Sequence, residues 1–495
     1  MIGRGAGGAG ARRIARLAAG VTLILGCAGN SSPRSGDEPS TLALAECALP
    51  DLDDRALCGK LQVYEDRDAG AGRRIPLRVA VLPATGPESR RDPIFVLVGG
   101  PGQGAVESAA SYAELLAPLR VERDLVFVDQ RGTGGSNPLQ CDLYSGQPSG
   151  PLGDFFPPDA VRACRAALER EAELRLSPSA LAAEDLDDVR AALGYDRIHL
   201  EAASYGTRVA LLYLRSHSAR VRAAFLRSVS PPWMRQPLSF AEDAQAALDS
   251  LTAACRLDPT CQEAFPRFEE ELESVLERVG SGGVTVDLGG ERAPPRTVVW
   301  TRGAFAEKVR FLLYAPGLSM FLPVLIHHAA EGDFVPFTEI AWDLGEQVAH
   351  VGTTGMYLSV TCTEDVARIT PEEAANGWPG TFLGDYRVRQ QMAACALWPV
   401  GTLPPDFDAP IESDVPVLLV SSTIDPITPP RWAEEAARGL RNSRRLLVPN
   451  VGHSPATDCV MAIAREFLAT ASHKGLDIAC LGEARRPPFA LELPD

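Results

Sequence analysis

The chain has 495 residues, of which 45% are hydrophobic, enough to bury a large core in one domain with an insertion or in two domains. Its formal net charge is −16 and no long basic run is present, which argues against nucleic acid as a partner. The acidity itself is read as solubility.

The first 26 residues read as a secretory signal: Arg4, Arg12, Arg13 and Arg16 precede a short apolar stretch from Leu17 to Leu25, too short to span a membrane. Ile24-Leu25-Gly26-Cys27 is also similar to a bacterial lipobox, in which Cys27 would carry the lipid and attach the protein to a membrane. The alternative is ordinary cleavage elsewhere. A Gly/Ser/Pro-rich tether, residues 27–45, follows. Beyond Cys27 ten cysteines remain, Cys47, Cys58, Cys141, Cys164, Cys255, Cys261, Cys362, Cys395, Cys459 and Cys480, in five sequence-local pairs. An even number in an exported chain suggests disulfides, with neighbour pairing the simplest scheme. No Cys-x-x-Cys or clustered His/Cys spacing calls for a metal, and no cofactor is expected.

From residue 46 to 232 the pattern is that of an α/β core. Lys60–Tyr64 and Ile75–Leu82 predict a hairpin around the turn 68–72. Ile94–Val98 and Leu125–Val128 are continuous apolar runs, the mark of buried parallel strands, and each feeds a glycine-bearing loop. Ser179–Leu193 predicts an amphipathic helix with Glu184, Asp185, Asp187 and Asp188 on its wet side. The apolar run Ile198-His199-Leu200 leads to Ala-Ala-Ser204-Tyr-Gly, then to a helix Thr207–His217 and a strand Ala223–Val229. Residues 233–410 predict a mainly helical cap, with helices Ala241–Cys255, Gln262–Val279, Arg302–Leu313, Met320–Glu331 and Phe337–Gln347. Strand patterning returns in 411–495, at Val415–Val420 and Arg445–Val448, before a helix Cys459–Ala471. Strands alternating with helices argue for a mostly parallel sheet.

Strand, tight turn and helix around Ser204 are what a nucleophile elbow requires. Asp425 and His453 follow downstream, each just past a predicted strand, in the order Ser, Asp, His. A serine hydroxyl is a poor nucleophile near neutral pH, so His453 is expected as base and Asp425 as its orienting partner. Taken singly, each could be an ordinary turn or loop residue. The N–H of Tyr205 and one from Gly99-Gly100-Pro101-Gly102, taken as Gly100, are expected to form the oxyanion hole. That glycine loop lacks the pattern of a nucleotide-binding loop.

Val98-Gly-Gly-Pro-Gly102, Asp129-Gln-Arg-Gly-Thr-Gly-Gly-Ser-Asn-Pro138 and Ser204-Tyr-Gly-Thr207 resemble the proline iminopeptidase and tripeptidyl aminopeptidase family of α/β-hydrolases. Cys141, Val360-Thr-Cys-Thr-Glu-Asp365, and Gly452-His453 with Cys459 and Cys480 resemble its secreted tripeptidyl branch. Val98 stands where iminopeptidases usually show histidine, and Ala202 where the elbow usually has glycine. The resemblance implies a lidded exopeptidase releasing short peptides from a free N-terminus. Such an enzyme needs carboxylates for the substrate ammonium, and Glu364, then Asp365, are the candidates. Both could instead be helix-terminal structural acids. Arg131 is expected to be structural. The competing functions are an esterase or amide hydrolase acting on small molecules, and a catalytically silent binding lipoprotein.

Overall fold

A computed structural model describes residues 42–87, 92–176, 178–290, 293–376 and 378–493. The predicted signal segment, Cys27 and the tether up to residue 41 lie outside the described residues. The centre is a nine-stranded sheet built from β1 (Ala45–Leu49), β2 (Leu52–Tyr64), β3 (Arg74–Leu82), β4 (Ile94–Leu97), β5 (Leu125–Val128), β6 (Ile198–Ala203), β7 (Val221–Arg227), β10 (Val417–Ser422) and β11 (Ser443–Val448). Their spatial order is β1-β2-β3-β5-β4-β6-β7-β10-β11. The first three strands form an antiparallel meander, and the six from β5 onward run parallel. β4, β5, β6 and β10 are buried at every position, which explains the unbroken apolar sequences of β4 and β5.

Helices cover both faces of the sheet. Ser179–Ala192 and Tyr205–His217 pack on one face, in a cluster with Leu200, Val209 and Leu211. Asp458–Thr470 covers the other, with Ile463 and Phe467 against Phe225 and Val420. Asp185 departs from its expected wet position: it is 2% exposed and receives Arg131 Nε at 2.7 Å and Nη2 at 2.8 Å. A buried carboxylate is tolerable there because a guanidinium fork meets it.

A third apolar cluster belongs to the insertion and gathers Phe240, Leu272, Trp300, Phe305, Leu325 and Phe337. The expected helix Gln262–Val279 is two helices, Pro259–Ala264 and Phe268–Gly280. Phe265 precedes Pro266, which disfavours helical geometry at the joint, and Phe265 sits at φ −128° and ψ 59°. A hairpin unforeseen in the sequence joins β8 (Val284–Gly290) to β9 (Ala293–Trp300). Pro294-Pro295 masked the strand signal. The last part of the insertion packs on the core rather than the cap. Met356, Leu358, Val360 and Cys362 from the helix Thr354–Glu364 join the cluster of the elbow helix, as do Ala394, Cys395 and Trp398. The ten cysteines form the disulfides 47–58, 141–164, 255–261, 362–395 and 459–480.

Candidate active site

Ser204 follows β6 at φ 54° and ψ −129°, a conformation unfavourable to a residue with a side chain. Its surroundings hold it there. The Ser204 N–H donates to the Arg227 carbonyl at 3.0 Å, and Thr207 Oγ1 donates to the Ser204 carbonyl at 2.6 Å. Gly206 must lack a side chain, since a Cβ would stand 2.4 Å from the Leu97 carbonyl oxygen. Ala202 is fully buried in β6 and paired with Leu97 and Leu226, so its methyl is absorbed by the core below the turn.

His453 Nε2 lies 2.9 Å from Ser204 Oγ, and His453 Nδ1 lies 2.9 Å and 3.0 Å from the two Asp425 oxygens. The loop after β11 delivers the histidine. Its N–H donates to the Tyr314 carbonyl at 2.7 Å, and its ring meets the Tyr314 ring edge-on at 5.3 Å. Asp425 is buried and well supplied with donors. Ile427 and Thr428 N–H groups donate to Oδ1 at 3.0 and 2.9 Å, while Thr428 Oγ1 and Ser228 Oγ donate to Oδ2 at 2.8 and 3.0 Å. Burial works against the charge, but His453 and these donors prevail and hold the carboxyl at about 2. Ser228 also accepts the Ser454 N–H at 2.8 Å, coupling the aspartate to the histidine loop. Neither Ser228 nor Thr428 was singled out in the sequence, although a threonine three residues after an Asp-Pro turn is a local hydrogen-bonding signal.

Tyr205 is the first residue of its helix, where the backbone N–H has no intrahelical acceptor. The glycine loop faces it. A Cβ on Gly99 would lie 3.2 Å from Ser204 Cβ and 3.6 Å from its Oγ, and Gly100 takes φ 108°. Behind the loop, Asp129 accepts the Val106 and Gly135 N–H groups, each at 2.8 Å. The Asp-Gln-Arg-Gly segment therefore buttresses the loop. Arg131 itself is tied to Asp185 and the Glu65 and Leu176 carbonyls, away from the reacting atoms. From the insertion, the Thr353 N–H donates to the Gly102 carbonyl at 2.9 Å and Thr353 Oγ1 to the Gly132 carbonyl at 2.9 Å.

Glu364 and Asp365 do not reach this site, contrary to expectation. They are 0% and 1% exposed beneath the elbow helix and pair with Arg208 at 2.9 and 3.0 Å. Glu364 also accepts from the Ser179 N–H at 2.5 Å and from Ser179 Oγ at 2.8 Å, and that hydroxyl lies 2.8 Å from the Tyr205 phenol. Burial pushes Asp365 up to about 6 against the pull of Arg208. These acids anchor the elbow helix, and a substrate ammonium would have to displace Arg208 to meet them.

A cavity of about 490 Å³ opens over Ser204 and His453, a size suited to a small organic substrate. Its walls are aromatic, with Tyr144, Phe155, Phe156, Phe240, Phe311 and Tyr357, and its polar wall groups include Arg227, Arg310 and Arg387. Arg227 is neutralised by Glu201, 2.6 Å away. Gln103 and Gln347 also line an adjoining open depression that holds Glu107, Asp343 and Glu346. No group of three His, Cys, Asp or Glu among the described residues could hold a metal.

A mostly parallel sheet that puts a serine on a strained turn after one strand, with Asp425 and His453 beyond two later ones, defines an architecture also found in the sequence comparison. Residues 92–263 match the family described as alpha/beta hydrolase fold. Residues 380–480 match the family described as TAP-like protein. Serine protease Hip1 of Mycobacterium tuberculosis is 27% identical over 435 residues, covering 78% of this chain and 80% of that one. Tripeptidyl aminopeptidase of Streptomyces coelicolor is 24% identical over 483 residues, covering 87% and 84%. Carboxylesterase B of Mycobacterium tuberculosis is 28% identical over 426 residues, covering 78% of each.

Proposed function

We propose that the protein is an exported serine hydrolase that releases short peptides from free N-termini through an acyl-enzyme. The observation that carries the chemistry is the continuous hydrogen-bonded line from Ser204 Oγ through His453 to Asp425. Ser204 attacks the substrate carbonyl as His453 takes its proton, and His453 then protonates the leaving amine. Asp425 holds the imidazole in the right tautomer and stabilises its charged form. The Tyr205 N–H and the Gly99–Gly100 turn, with Gly100 as donor, receive the developing oxyanion. Water then repeats the sequence on the acyl-enzyme. Five disulfides support export, because such bonds persist in oxidising compartments.

The peptidase reading draws on the likeness to the tripeptidyl aminopeptidase and Hip1. With Glu364 and Asp365 buried elsewhere, the groups left for a substrate ammonium are Glu107, Asp343 and Glu346 in the adjoining depression. A second reading, an esterase of small molecules, is favoured by the aromatic walls with arginines among them and by the likeness to a carboxylesterase.

A fluorophosphonate probe is expected to label Ser204, and Ser204→Ala to lower kcat/KM by at least about 10⁴-fold. Folded protein that stays unlabelled would mean a silent binding protein. Tripeptidyl anilides with free N-termini should be cleaved much faster than their acetylated forms. Equal rates, together with faster turnover of short nitrophenyl esters, would replace the peptidase reading with the esterase one.

A further inference from the structure

Away from Ser204, the cavity wall built by the helices Arg302–Leu312 and Tyr386–Cys395 is unbalanced in charge. Arg310 and Arg387 both line it and are 1% and 2% exposed. Glu307, also buried, serves both. Its two oxygens accept Arg310 Nε at 3.0 Å and Nη2 at 2.6 Å, which is a complete fork. Arg387 Nε approaches the same carboxylate only at its edge, at 3.1 Å, in a direction that makes no hydrogen bond. The other Arg387 nitrogens donate to uncharged groups, Gln391 Oε1 at 3.1 Å and the Tyr357 hydroxyl at 2.9 Å. Lys308 adds a third buried cation, and its ammonium is held over the Phe311 ring at 5.3 Å with no carboxylate within 4 Å among the described residues. Arg310 and Arg387 thus share one carboxylate, and Lys308 brings a further buried cation to the same helix as Arg310.

Aromatic faces ease this arrangement without cancelling it. The Arg387 guanidinium lies 3.9 Å from the Phe155 ring centre, and that of Arg310 lies 4.8 Å from both Phe240 and Phe311. A buried excess of positive charge is unfavourable in a medium of low dielectric constant unless an anion joins it. The wall belongs to the cavity that contains Ser204, and the Tyr314 ring lies 5.3 Å from the His453 ring and 5.6 Å from the Arg310 guanidinium. An apolar chain ending in an anion fits such a path.

We propose that this wall recognises a carboxylate on the acyl part of the substrate, several bonds from the reacting carbonyl, with Arg387 as the main contact and Arg310 beside it. The inference rests on the serine hydrolase reading, in which the acyl part stays on Ser204 while the leaving group departs. In a peptide the carboxylate is a Glu or Asp side chain; in an ester it is the far end of a dicarboxylic acid.

Matched substrates test it. The 4-nitrophenyl monoesters of adipic and suberic acid are compared with the hexanoate and octanoate esters, and Ala-Ala-Glu anilide with Ala-Ala-Gln anilide. In at least one pair the carboxylate substrate is expected to have the higher kcat/KM, by about tenfold or more, mostly through KM. The pair that shows it identifies ester or peptide as the source. Arg387→Met is expected to lower that ratio by about ten- to hundredfold, and Lys308→Met to lower it less. Neutral partners cleaved at equal or greater rates in every pair, with cleavage still dependent on Ser204, would overturn the proposal and leave the hydrolase reading standing. If no substrate is cleaved and the fluorophosphonate probe does not react, the hydrolase reading falls instead. Calorimetric titration with adipate then decides the site: binding that adipamide does not share supports it, and no binding overturns it. The wild-type comparison stands even if Arg387→Met fails to fold.

Discussion

Asp425 illustrates how a single residue can couple the geometry of a site to stability. The ordinary carboxyl value is 3.8 and the native one about 2, so the folded protein favours the charged form more than the unfolded chain does. The resulting stability is fully present above the unfolded value and is lost as pH falls through about 2. The gap corresponds to roughly 2 kcal/mol, gained as pH rises from 2 to 5. Urea unfolding across that range should therefore show a steeper rise in stability for the wild type than for Asp425→Asn, by about that amount. Identical slopes would mean that the carboxylate is no better stabilised in the fold than in water. At the same scale, Ser204, Asp425 and His453 could be singled out as a set because each follows a predicted strand, and the fold brings the three within hydrogen-bond reach. Glu364 misled because a Thr-Glu-Asp run after a cysteine carries no sign of its depth. The cation that claims it, Arg208, lies far away in the chain.

At the scale of elements, the end of a cap helix and the histidine loop form one joint. The carbonyl of Tyr314, just past the helix Arg302–Leu312, accepts the His453 N–H, and a Cβ at Gly452 would lie 2.2 Å from that oxygen. Gly452→Ala is expected to push the two apart and swing the imidazole from Ser204. Kcat should fall by about 10²-fold, the loss typical of small misplacements of a reacting group, while fluorophosphonate labelling slows in parallel. Unaltered kcat in a folded variant would show that the joint has slack. Core strands were readable at this scale because full burial writes itself as consecutive apolar residues, as in Leu125–Val128. The hairpin Val284–Trp300 and the split helix around Pro266 were not, since prolines interrupt both signals. The helix Thr354–Glu364 was assigned to the cap by position, although its burial against the elbow helix depends on contacts remote in sequence.

For the molecule as a whole, the disulfides staple short stretches and one of them braces the site. Cys362–Cys395 closes a separation of 33 residues and joins the helix carrying Tyr357 to the helix carrying Arg387, both on the cavity wall. Loss of such a link removes about 4 kcal/mol by the chain-entropy account. A Cys362→Ala/Cys395→Ala variant should unfold at correspondingly lower urea concentration, and its KM should rise more than its kcat falls. An unchanged urea midpoint would mean that packing alone fixes the two helices.

The sheet is completed late. β7 takes β10 as its neighbour only after the entire insertion has intervened, and β11 then adds to β10. A chain made from its N-terminus thus displays β7 as an open margin, with Ser204 made but Asp425 and His453 still to come. During that interval Ser204 Oγ has no imidazole beside it. The margin is equally a place where another unfinished copy can pair. Arrival of the chain from Val417 onward ends both conditions at once, closing the edge and bringing His453 to Ser204.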